Sequence, residues 1–299
     1  MSLASLLPFR HRYAAGFPGL GSQAVPTDAD ALDYLDRMAA ADGASVEVGV
    51  ATAVDAFFAD AKELGVFSSL KACCILAGAR TLAGALVPVV GDAPAPNGFV
   101  SGDYSRTAGL RDSDRTSYLD SGRDGDDDPQ NDVSLAVFAT SLPTVDPTFY
   151  IGDGNGVAGA NAIGATTSNN PFFYARSNSA DVDASAGAVG LIGTSRSTST
   201  GFVGRSGGQS TPYTKTSQTP RTSNVAVFAE GTVLSFKSDA TLAFYSIGTS
   251  LSLEDLDTAV TNLINRLKFA LLVGENPSGL DPDTIDYIVR GYEAGGSLE

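Results

Sequence analysis

Residues 97–249 are a succession of short apolar runs, each closed by glycine or another turn-forming residue, and this stretch holds 19 of the chain's 33 glycines. Runs of four to eight residues between turn signals read as strands. A long series of them without helical period reads as an antiparallel sandwich or barrel. Val133, Leu135, Val137 and Ala139 alternate with their neighbours as a half-buried strand requires. Further strands are predicted at 149–151, 172–176, 188–194, 201–205, 224–229 and 241–247. The tetrapeptide Ala-Val-Phe-Ala occurs at 136–139 and again at 226–229, which suggests two neighbouring strands of one sheet.

The flanks have the other periodicity. Thr27 or Asp28 can cap a helix bearing Leu32, Leu35 and Met38 on one face and ending near Asp42-Gly43. Ser45 opens a second helix. Its apolar positions Val46, Val50, Ala53, Val54, Phe57, Ala61 and Leu64 step by three and four, and Gly65 stops it. A third, more apolar helix is predicted over 67–79, and 82–90 is ambiguous. Past the β-rich zone, Ser252-Leu253-Glu254-Asp255 is a capping box ahead of an apolar stripe of Leu253, Leu256, Val260, Leu263, Ile264 and Leu267. A last helix starts at Asp281-Pro282. The expected organisation is mainly β with α flanks: an extended arm over 1–27, a helical module over 28–96, an antiparallel β-sandwich over 97–249, and C-terminal helices over 250–299 packed on the sandwich.

Composition narrows the function. The net charge of −15 argues against nucleic-acid binding, because such a surface repels phosphate. A single histidine, His11, leaves no histidine cluster for catalysis or zinc, and the absence of Trp weakens a sugar-stacking site. Cys73 and Cys74 sit in an apolar context and read as buried thiols. The most apolar stretch, 72–90, carries Arg80 at its centre and is broken by Gly78, Gly84 and Pro88, so no membrane insertion is expected. Arg10 and Arg12 follow the first apolar residues instead of preceding them, against a signal peptide. Synthesis in a cytoplasm is expected.

Several motifs bear on chemistry. Gly154-Asn155-Gly156-Val157-Ala158-Gly159 has the spacing of a dinucleotide fingerprint, but no helix starts after it, so a glycine-rich β loop is expected. The run from Arg123 to Asp132 is the densest acidic stretch. It fails the EF-hand pattern, leaving Asp124, Asp126, Asp128 and Asp132 as candidates for a calcium site on a sandwich loop, against a solvated turn and no cofactor. Glu230 is the only Glu between 97 and 249, which speaks against a paired-carboxylate glycosidase. The Ser- and Thr-rich span 185–223 is a hydroxyl-rich edge without a nucleophile elbow. The arm over 1–27 carries Phe9, Arg10, Arg12, Tyr13 and Phe17 and no acid, which on an acidic protein suits a docking peptide or a segment packed on its own domain.

Leu242 to Gly248 followed by Ser252 to Leu256 resembles the closing strand and helix of concanavalin A-like, laminin G-type jelly rolls. Four stretches resemble tailed-bacteriophage structural proteins: Lys71 to Leu86, Val100 to Tyr104, Asp128-Pro129-Gln130 with Ser217 to Pro220, and Leu280 to Ile285. The resemblance covers about 28–299. It implies a non-enzymatic virion component of the tail, fibre or head surface, made in the host cytoplasm. The implied partners are other virion proteins and further copies of itself, with host adhesion as a role. The alternative is a lectin-like module that binds a host surface glycan, with calcium at the acidic loop.

Overall fold

The computed structural model describes residues 26–145, 147–184, 187–232 and 234–275. Asp28 caps the first helix, α1 (Ala29–Asp42), its Oδ1 accepting from the N–H groups of Asp30 at 3.0 Å and Ala31 at 3.2 Å. Gly43 ends it at φ +64°, the left-handed turn that glycine adopts without strain. The second helix, α2 (Val48–Glu63), buries Val50, Ala53, Val54, Phe57 and Ala61, the face its periodicity marked. A single turn, α3 (Leu82–Ala85), and a long final helix, α4 (Leu253–Glu275), complete the helices. Ser252 Oγ accepts from Asp255 N–H at 3.3 Å at the start of α4.

The strands are β1 (Leu70–Ile75), β2 (Pro88–Val90), β3 (Ala95–Asn97), β4 (Tyr104–Ser105), β5 (Gly109–Leu110), β6 (Tyr118–Asp124), β7 (Val133–Ser141) and β8 (Thr148–Gly152). They continue with β9 (Ala160–Ala165), β10 (Pro171–Ser177), β11 (Asp181–Val182), β12 (Gly190–Arg196), β13 (Gly201–Ser206), β14 (Gln209–Thr214), β15 (Asn224–Val227) and β16 (Thr241–Gly248). One sheet runs β14-β13-β12-β7-β16-β1-β2, with β5 beside β16 and β4 beside β5. The other runs β11-β10-β9-β8-β15-β6-β3. The ladders between these strands are antiparallel, so this is a β-sandwich of the jelly-roll type with helices at its flanks.

There are three layers. Leu135, Val137, Leu242, Tyr245 and Ile247 face the second sheet, where Ile151, Ile163, Phe173 and Val227 meet them. The opposite face of the first sheet, with Ala136, Phe138, Leu191 and Phe244, is covered by Tyr34, Phe57, Leu256, Val260 and Leu263 of α1, α2 and α4. The C-terminal helix thus packs back on the sandwich.

Two expectations are corrected. Residues 67–79 do not form a third helix: a 3-10 turn at Phe67–Ser69 leads into β1, which pairs with both β16 and β2. Cys73 and Ile75 face the helices while Ala72, Cys74 and Leu76 face the second sheet. A strand apolar on both faces shows no alternation, so periodicity cannot separate it from a buried helix. Sheet residues therefore begin at Leu70, inside the zone read as helical. The two Ala-Val-Phe-Ala strands, β7 and β15, lie in opposite sheets and are not neighbours.

Candidate functional site

At one end of the sandwich, the motifs that stood apart in the sequence come together. The turn after β6 (residues 125–132), the glycine-rich β8–β9 loop (153–159) and the β14–β15 loop (215–223) meet around Asp153, joined by the segment that follows β15. Asp153 is fully buried. Its Oδ1 accepts from Asn161 N–H at 2.7 Å, which closes the glycine-rich hairpin. Its Oδ2 faces Arg176 Nη1 at 3.4 Å. Its backbone carbonyl accepts from Ser223 Oγ at 2.7 Å and from Thr232 Oγ1 at 2.9 Å. Burial pushes the Asp153 carboxyl up to about 7, against the pull of the Asn161 N–H and of Arg176 and Arg221.

Arg176 sits at a bulge of β10 with φ +56° and is 1% exposed. Its Nη2 donates to the Asp128 carbonyl at 3.1 Å, and its own carbonyl accepts from Gln218 N–H at 2.8 Å. One residue therefore holds three loops, two by its side chain and one by its backbone carbonyl. Gln218 Oε1 in turn accepts from Gly159 N–H at 3.1 Å. Gly159 has φ +76°, and a Cβ there would collide with the Thr219 carbonyl oxygen, so this close approach of two loops needs glycine. Gln130 Nε2 donates to Ser217 Oγ at 2.9 Å, joining two stretches that the sequence resemblance had singled out.

The four carboxylates read as a candidate calcium set face different partners. Asp124 and Asp126 are exposed. Asp128 is buried and pairs with Arg123 Nη2 at 3.0 Å. Asp132 Oδ1 accepts from Ser250 N at 2.8 Å and Ser250 Oγ at 2.6 Å, tying β7 to the lead-in of α4. Among the described residues, no group of three or more His, Cys, Asp or Glu side chains is arranged to hold a metal ion. The glycine-rich segment is a β-hairpin loop, as expected. Glu230 is fully buried, with Oε2 accepting from Thr232 N–H at 2.9 Å in its own turn. Phe9, Arg10, Arg12, Tyr13 and Phe17 lie outside the described residues.

What remains at the surface of this end is polar: Asp124, Asp126, Asp127, Asn131, Asn155, Thr216, Thr219, Thr222 and Thr232 are exposed. Asn155 Oδ1 accepts from Tyr174 OH at 3.4 Å. Sequence reasoning missed Asp153 and Arg176, although a signal existed. Arg176 ends the otherwise apolar run Phe172-Phe173-Tyr174-Ala175, and a charge in such a strand needs a buried partner.

No protein-family model and no curated protein matches the chain. Among solved structures it is similar to the CBM40 domain of the Ruminococcus gnavus IT-sialidase, at 8% identity and TM-score 0.33 over 44% of this chain and 83% of that one. It is similar to a Trypanosoma rangeli sialidase mutant displaying trans-sialidase activity, at 11% identity and TM-score 0.41. That match takes in 72% of this chain and only 39% of the sialidase. Domain 4 of AbnA, a GH43 extracellular arabinanase from Geobacillus stearothermophilus in complex with arabinotriose, matches at 15% identity and TM-score 0.36, covering 64% and 99%. None of these likenesses reaches a TM-score of 0.5, and none identifies a ligand of this chain. No helix among the described residues is long and apolar enough to cross a membrane.

Proposed function

We propose that the chain is a non-enzymatic recognition module that binds a hydroxyl-rich ligand of the glycan class at this loop end. The observation that carries the reading is the tie of three loops to the Asp153–Arg176 pair. Loops on a rigid sandwich are where recognition is placed, and a buried pin beneath them fixes the exposed amides, carboxylates and hydroxyls in advance. Asn155, Asn131, Asp126 and Asp127 offer the mixed donors and acceptors that sugar hydroxyls require. Asp153, Asp128 and Glu230 are spent on internal hydrogen bonds and ion pairs, which favours binding over turnover. The sequence resemblance makes the surface of a phage virion the setting we propose, with residues 1–27 as the anchor and other virion proteins and further copies as neighbours.

The test is a glycan array followed by calorimetry on the best ligand. Asn155→Ala with Asp126→Ala should weaken binding at least about tenfold, the value of one or two lost polar contacts, while the melting temperature stays within a few degrees. Binding that is unchanged in the double variant, or no glycan bound at all, overturns the proposal. For the setting, deletion of residues 1–27 should remove the protein from sedimenting particles; normal incorporation would sink the anchor.

A further inference from the structure

Two arginines plug the end of the core between the sheets. Arg176 comes from β10 in one sheet, and Arg196 is the last residue of β12 in the other and is 0% exposed. Arg196 Nε crosses the sandwich to donate to the Ala175 carbonyl at 2.8 Å, which brings its guanidinium beside Arg176. Its Nη1 donates to the carbonyls of Thr198 at 3.0 Å and Gly201 at 3.1 Å, and its plane lies over the Phe202 ring at 5.5 Å. Arg196 thus binds carbonyls and an aromatic face but, among the described residues, no carboxylate within ion-pair distance. Of the acids near the two arginines, Asp128 is paired with Arg123, Asp153 faces Arg176, and Asp181, whose charge favours the charged form of Arg196, is paired with Lys215 at 2.7 Å.

Two buried donors are also unspent. Arg176 Nε and Arg196 Nη2 have no hydrogen-bond partner among the described residues. A guanidinium does not escape by losing its proton, so burying two such groups side by side with N–H donors left unpaired is costly. Burial and the charge of Arg176 both disfavour the charged form of Arg196, against the pull of Asp181. We propose that a small inorganic anion of the halide class binds between Arg176 and Arg196 and accepts from these two N–H groups. It would be an integral part of the loop end, accepting from the two donors that no carbonyl or carboxylate of the described residues reaches.

The test uses the full chain. Melting temperature is measured in sodium chloride and in sodium gluconate at equal ionic strength, which cancels general screening. A ligand of the native state raises stability in step with the logarithm of its concentration above Kd. The melting temperature should therefore climb with chloride and not with gluconate, and Arg196→Met should abolish the difference. Crystals grown in bromide should show an anomalous peak beside Arg176 Nε and Arg196 Nη2. Where Arg196→Met does not fold, the bromide diffraction of the unaltered chain decides. The proposal fails if chloride and gluconate give the same melting temperature, if the chloride effect survives in Arg196→Met, or if no bromide lies there. A bromide peak without a thermal effect marks an adventitious ion only, and also defeats it.

Discussion

Replacing Arg176 by Leu keeps an apolar side chain in the same space and removes the guanidinium. The change leaves the fully buried Asp153 carboxylate facing no cation at Oδ2 and deprives the Asp128 carbonyl of its 3.1 Å donor. Above about pH 7, where Asp153 is ionised, breaking one side of a buried pair costs about 3–5 kcal/mol. For a domain of this size each kcal/mol moves the melting temperature by about 2–4 °C, so a drop of roughly 6–20 °C is expected. The pH dependence supplies an internal check. The folded pKa of Asp153, about 7, lies above its ordinary 3.8. Between these values the native state holds a proton that the unfolded chain has released. Its contribution is therefore present in full below the ordinary pKa and is lost as pH rises through about 7, at up to about 1.4 kcal/mol per pH unit. In Arg176→Leu the loss of the cation pushes Asp153 higher still, so the decline should extend to more alkaline pH. In Asp153→Asn this group's part of the slope should vanish. Urea denaturation from pH 4.5 to 8.5 on the three proteins reads all of this. A cost below about 1 kcal/mol in Arg176→Leu, or identical pH slopes in Asp153→Asn and the parent, would refute the pin.

Other predictions address the layers around it. Gly159→Ala should cost more than about 1 kcal/mol, because the position combines φ +76° with a collision against the Thr219 carbonyl; hydrogen exchange should speed up in residues 215–223, and unaltered exchange there would mean the two loops are not braced together. Phe57→Ala should lose about 3–5 kcal/mol in chemical denaturation, since its buried ring meets Phe244 of β16 at 6.1 Å and joins the helices to the sheet. Asp28→Ala should remove the α1 cap and the 2.7 Å ion pair with Lys62 for about 1–2 kcal/mol. Burial alone would push the Asp28 carboxyl up, but Lys62 and the Ala31 and Asp30 N–H groups together hold it below its ordinary 3.8. That stabilisation is present above 3.8 and is lost as pH falls further, so the parent and Asp28→Ala should converge in acid melts. Divergence there would contradict the assignment.

The strands β7, β13 and β16 were legible because turn-forming residues bracket each run, although β7 and β16 are buried on both faces. The helices α1 and α2 were legible from their apolar stripes and from Asp28 and Gly43 at the ends. β1 was not, because it lies in the middle layer of three and is apolar on both faces. The pairing of Ala136–Ala139 with its repeat at 226–229 failed for a related reason. Similar strands in opposite sheets face the same core and need the same residues. The loop end was visible only in pieces. The glycine-rich hairpin, the acidic turn and the Ser/Thr-rich span each stood out, yet their convergence depends on Arg176 reaching Asp153 and Asp128 across long sequence separations, which local patterning does not encode. The acidic turn attracted attention by charge density, but density along the chain does not set where carboxylates point, and Asp128 and Asp132 are drawn to Arg123 and Ser250 instead.

The central claim is that the loop end held by Asp153 and Arg176 is a preformed recognition surface. The most direct measurement is calorimetric titration of the best array glycan against the parent chain and the Asn155→Ala/Asp126→Ala variant. The parent should bind and the variant should lose at least about tenfold in affinity, with both proteins melting within a few degrees of each other. Equal affinity for the two proteins would contradict the claim.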